Sequence, residues 1–149
     1  MSMQSLRSLV VDAFPLSTRR AMLFRELERL HQELLAIGVV CEIWIDGSYL
    51  TAKPEPDDID VIFSAWAADL DAMPVRVQNA ILANLDGGKQ YSPLIDTYIC
   101  VRFPSGDARR KSDRTNYWSE LWGKGWDNYL TGYAVIKYGE TDVGLRLFT

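Results

Sequence analysis

The chain has 149 residues, 48% hydrophobic and 24% charged, with a formal net charge of −4 and an isoelectric point near 5.0. That length suits a single domain, 1–149, with a sizeable core, and the acidic balance excludes a bulk DNA or RNA coat. No apolar run is long enough to span a membrane and the N-terminus lacks a signal-peptide core, so a cytoplasmic protein is expected.

Residues 1–16 carry Leu6, Leu9, Val10, Val11 and Phe14 and end at Pro15. They read as a brief helix or a packed arm. Ser17 or Thr18 is a good N-cap. From Arg19 to Ile37 the residues Leu23, Leu27, Leu30, Leu34 and Ile37 recur at three- and four-residue steps, the spacing of an amphipathic helix. Gly38 stands where a helix C′ glycine belongs. His31 is the only histidine, which excludes a His-rich metal site.

Residues 39–46 read as a strand. Cys41, Ile43 and Ile45 share one face; Glu42, Trp44 and Asp46 share the other. Gly47-Ser48 ends it, and 48–53 can form one helical turn before Pro54 and Pro56 block a longer one. A second strand covers about 58–64. After a mixed stretch, Val77, Ile81 and Leu85 fit a helix that starts at Pro74 and ends at Gly87-Gly88. Residues 89–93 read as a loop. A third strand spans about 94–103, with Asp96, Tyr98 and Cys100 on one face. A polar loop with Arg109, Arg110 and Lys111 leads to a helix through Tyr117, Trp118, Leu121 and Trp122. Residues 131–139 read as a fourth strand, and 142–149 as a short strand or packed tail. Cys41 and Cys100, without a CxxC or Cys/His cluster, read as small buried hydrophobes. The whole suggests a small α/β (α+β) sandwich, a mixed sheet with helices packed on it. The short link between the first two strands favours an antiparallel pair.

Asp58 and Asp60 open the second strand, although Asp is depleted in strands. At i and i+2 they project to one side, with Cα atoms roughly 6.5 to 7 Å apart. Two such carboxylates can share a hard metal ion, or a pair of them. If the second and third strands are neighbours, Asp96 joins them as a third ligand or a general base. Clustered carboxylates repel, and a divalent cation such as Mg²⁺ relieves that repulsion. Gly47 permits close approach of the backbone to a phosphate, and Ser48 can donate to its oxygens.

Gly47-Ser48, a nine-residue spacer and Asp58-Ile59-Asp60-Val61 together resemble the signature of the nucleotidyltransferase superfamily, the polymerase β-like fold. Asp96 is the natural match for its third acid. The resemblance covers roughly residues 20–103 and is closest to minimal single-domain prokaryotic and prophage members. It implies a nucleotidyltransferase-like fold and Mg²⁺ ligation by Asp58, Asp60 and Asp96, with a two-ion site allowed. It also implies an NTP donor whose phosphates meet Gly47, Ser48 and Lys53, and an acceptor hydroxyl on RNA, protein or a small molecule. Some such proteins act in toxin–antitoxin or phage-defence pairs, and some have lost catalysis. Tyr49-Leu50-Thr51 stand where many minimal members carry an Arg, so its phosphate contacts are either absent or supplied from elsewhere, as by Lys53 or Arg109. The run Arg109, Arg110, Lys111 and Arg114 reads first as solvated surface. The Trp118, Trp122 and Trp126 stripe within 117–129 reads as core or as an interface for a protein partner or homodimer. The competing expectation is a silent binding or antitoxin-like module acting through that surface.

Overall fold

The computed structural model describes residues 1–109 and 133–139. The expected helix through 117–122, the tryptophan stripe, Arg110, Lys111, Arg114 and the tail 142–149 lie outside the described residues. The architecture is a mixed α+β arrangement: helices pack on a five-stranded sheet of order β3-β4-β2-β1-β5. The strands are β1 Cys41–Asp46, β2 Ile59–Trp66, β3 Gly88–Ser92, β4 Ile95–Arg102 and β5 Ala134–Tyr138.

The N-terminal arm is a short helix, α1 (Met3–Arg7), continued by a π-helical turn Ser8–Asp12. The long helix α2 runs Thr18–Ile37. The Ser17 hydroxyl accepts the Arg20 amide at 3.2 Å, and Gly38 closes the helix with φ +74°, a backbone that glycine adopts without cost. Its buried stripe is Leu23, Phe24, Leu27, Leu30 and Leu34, and it also buries Arg20. Ile37, expected on that stripe, is 37% exposed, because the helix ends beyond the sheet-facing seam.

β1 and β2 are antiparallel, as the short link between them requires. β2 and β4 are parallel neighbours, joined by a crossover that contains α3 (Ala67–Asp71) and α4 (Val75–Leu85). One sheet face carries Ile43, Ile45, Val61, Phe63, Ile95 and Ile136, which form the main core with α2 and with Ile81 and Leu85 of α4. The opposite face holds a smaller cluster, Trp44, Ile62 and Cys100, and a buried ion pair, Arg102 to Glu42 at 2.9 Å. Both cysteines are buried free thiols. His31 Nδ1 lies 2.7 Å from the Tyr138 hydroxyl, a packing contact within the fold.

Two expectations need correction. Residues expected as a loop form the edge strand β3, antiparallel to β4 with a shift between Gly88 and Ser92. Its Lys89 and Gln90 are exposed. An edge strand can stay polar, and a lysine there discourages pairing with another chain, so no apolar alternation advertises it. The second strand begins at Ile59 and reaches Trp66, so Asp58 is the last loop residue rather than the first strand residue.

Candidate functional site: a row of carboxylates across three strands

Strand register puts three acids at one level of the sheet. Asp46 of β1 pairs with Asp60 of β2, and Asp60 pairs with Asp96 of β4. Neighbouring strands lie about 4.7–4.9 Å apart, so the three Cα atoms form a row across the sheet. Alternation sends all three side chains to the face opposite the main core. Asp58 flanks the row from the loop, and its carboxylate pairs with Lys89 Nζ at 2.8 Å. The sheet thus brings Asp60 beside Asp96, as expected, and adds Asp46.

The electrostatics follow from that crowding. Burial, then the charges of Asp58, Asp96 and Asp46, push the Asp60 carboxyl up to about 6, with Lys89 opposing. Burial also raises Asp46, partly offset by a hydrogen bond from the Gly47 amide. On the far strand the Tyr98 hydroxyl donates to Asp96 Oδ2 at 3.2 Å, which orients that carboxylate. Asp96 Oδ1 is buried without a hydrogen-bond partner. Buried polar atoms are rarely left so. Among the described residues, no group of three or more His, Cys, Asp or Glu side chains is arranged to hold a metal ion.

Gly47 is tied to this row by space as well as by sequence. Its φ is +79°, and a Cβ built there would sit 2.1 Å from Asp60 Oδ2. Only glycine combines that backbone with that approach. Residues Gly47–Leu50 form a 3₁₀ turn, matching the single turn expected there. Within it the Ser48 carbonyl accepts the Thr51 hydroxyl at 2.7 Å.

Behind the turn lies a fully buried arginine. The Arg20 guanidinium donates to four main-chain carbonyls: Val10 at 3.1 Å, Tyr49 at 2.8 Å, Thr51 at 2.7 Å and Lys53 at 3.1 Å. The Tyr49 hydroxyl returns a bond to the Arg20 carbonyl at 3.2 Å, and the guanidinium stacks on Phe14, 3.7 Å from the ring centroid. Arg19 reaches the carbonyls of Pro56 and Asp57. The first turn of α2 therefore clamps both ends of the loop joining β1 to β2.

The two expected phosphate contacts are each paired with an acid. Lys53 Nζ lies 3.8 Å from Asp57. Arg109 bonds to Asp71 and Asp107 and lines a cavity of about 200 Å³ with Leu70, Ile81 and Phe103. Among the described residues Lys89 is the cation at the row, and it was not singled out in the sequence, nor were Asp46, Tyr98 and Arg20. Asp46 and Tyr98 carried a usable signal: each shares a strand face with residues already singled out. Lys89 and Arg20 carried none, since their roles depend on tertiary pairing.

The buried Asp96 Oδ1 without a partner and the raised Asp60 carboxyl would each be relieved by a divalent cation. The chain belongs to DUF6932, a family of unknown function whose model matches residues 1–137. No curated protein and no solved structure matches the chain.

Proposed function

We propose that this protein is a nucleotidyltransferase of minimal type, moving a nucleoside monophosphate from an NTP to an acceptor hydroxyl on RNA, protein or a small molecule. The observation that carries the reading is the strand register Asp46–Asp60–Asp96 beside a glycine turn packed against Asp60. Asp58 and Asp60 would hold Mg²⁺, with Asp96 beside them. When bound, the cation neutralises the clustered acids and offsets charge developing on the phosphoryl oxygens. The amides and hydroxyl of Gly47-Ser48 receive the phosphates. Asp96, oriented by Tyr98, accepts the proton of the acceptor hydroxyl. The hydroxyl oxygen bonds to the α-phosphorus, the bond to the β-phosphate bridging oxygen breaks, and pyrophosphate leaves.

A second reading is a silent member of the same fold, acting as a binding or antitoxin-like module through the 117–129 region. In that reading Asp58 stays paired with Lys89. Each NTP, labelled at the α-phosphate, incubated with cellular RNA and protein, separates the readings. Transfer of label with release of pyrophosphate supports the enzyme, and loss of transfer in Asp60→Asn assigns it to this row. Free inorganic phosphate with no labelled acceptor would indicate a phosphohydrolase instead.

A further inference from the structure

Lys89 stands at the acid row, paired with Asp58. It lies on the edge strand β3 next to a register shift, and its side chain is 46% exposed. Its ammonium is 2.8 Å from Asp58. The pair therefore combines an exposed, flexible four-carbon stem with a carboxylate that the proposed chemistry needs elsewhere.

We infer that Lys89 is an internal counter-ion that a divalent cation displaces from Asp58 and that then binds the polyphosphate of the incoming nucleotide. This rests on the nucleotidyltransferase reading and assigns its missing phosphate cation. An ammonium and a divalent cation compete for the same carboxylate, and the doubly charged, multiply ligated ion wins once it also meets Asp60. Asp58 then turns from Lys89 to the ion. The released ammonium stays beside the acids, available to the phosphates of a nucleotide whose metal those acids hold. A lysine is suited to this exchange: it is a compact point charge on a mobile stem, and it binds phosphate without a fixed fork geometry. The same residue thus opposes the cation and favours the polyphosphate.

The two roles have opposite signs, and that makes them separable by binding alone. Calorimetric titration of Mn²⁺ into wild-type protein, Lys89→Met and Asp60→Asn gives the cation affinity. Titration of inorganic tripolyphosphate at saturating Mn²⁺ gives the phosphate affinity. Removal of an exposed ion pair should tighten Mn²⁺ binding in Lys89→Met by about fivefold. Loss of a charged donor should weaken tripolyphosphate by about tenfold. If Lys89→Met moves both affinities in the same direction, or neither, while Asp60→Asn abolishes Mn²⁺ binding, the role of Lys89 is overturned and the site reading stands. If neither wild type nor Lys89→Met takes up Mn²⁺, the site reading fails and this inference with it.

Discussion

Arg20 lies behind the turn that follows β1, and Asp60 lies in front of it. Arg20 is wholly buried, but four carbonyls and the Phe14 ring receive its guanidinium. Asp60 is only partly buried, yet three other carboxylates crowd it and push its carboxyl up, and its neighbour Asp96 keeps an oxygen without a partner. A buried charge whose donors are all used is structural, because its desolvation is already met by hydrogen bonds. Carboxylates crowded in this way cost folding energy. The same turn is thus braced from one side and left unsatisfied on the other.

That contrast can be broken by removing the brace. Arg20→Met leaves four carbonyls without their donor and should destabilise the fold by about 3–5 kcal/mol, read as a lowered urea midpoint. If the loss is under about 1 kcal/mol, Arg20 does not hold the turn. Next in size is Gly47→Ala. It adds left-handed strain and a Cβ at 2.1 Å from Asp60 Oδ2, for a cost of about 2–4 kcal/mol. Asp60→Ala in the same background should recover about half of that, since it removes the clash and leaves the backbone strain. Full additivity of the two substitutions would show that they do not meet.

Asp60→Asn should go the other way. Its folded-state carboxyl is raised to about 6 from 3.8, so between those values the folded protein binds more protons than the unfolded chain, and stability falls as pH rises. The penalty is absent below about pH 4 and complete above about pH 7. The asparagine variant should therefore be more stable than wild type by about 1 kcal/mol at neutral pH, after allowance for solvent screening, and equal to it near pH 4. Denaturant titrations at both pH values check the sign. Smallest is Lys89→Met, which should change stability by less than about 0.5 kcal/mol, because the pair is largely exposed.

The helix-covered face of the sheet was legible from the residues, and the other face only in part. Leu23 to Leu34 announce α2 by spacing, and Ile43, Ile45, Val61 and Phe63 announce their strands by alternation. Asp58, Asp60 and Asp96 stood out because acids are scarce in strands. The row itself depended on register: Asp46 joins Asp60 only because β1 and β2 pair antiparallel at that level. β3 was hidden because a polar edge strand need not alternate. Arg20 was hidden because a charged residue on a helix reads as solvent-facing, and only the loop it clamps reveals otherwise. Asp58 is the last loop residue rather than the first of its strand, a one-residue difference that alternation alone does not resolve.

The central claim is that this unsatisfied row, with Gly47-Ser48, takes a divalent cation together with a nucleoside triphosphate. Calorimetric titration of each NTP, with and without Mg²⁺, into wild type and Asp60→Asn tests it most directly. The account expects at least one NTP to bind wild type only when Mg²⁺ is present, and that binding to be lost in Asp60→Asn. Binding that ignores Mg²⁺, that survives Asp60→Asn unchanged, or that is absent for every NTP would contradict it.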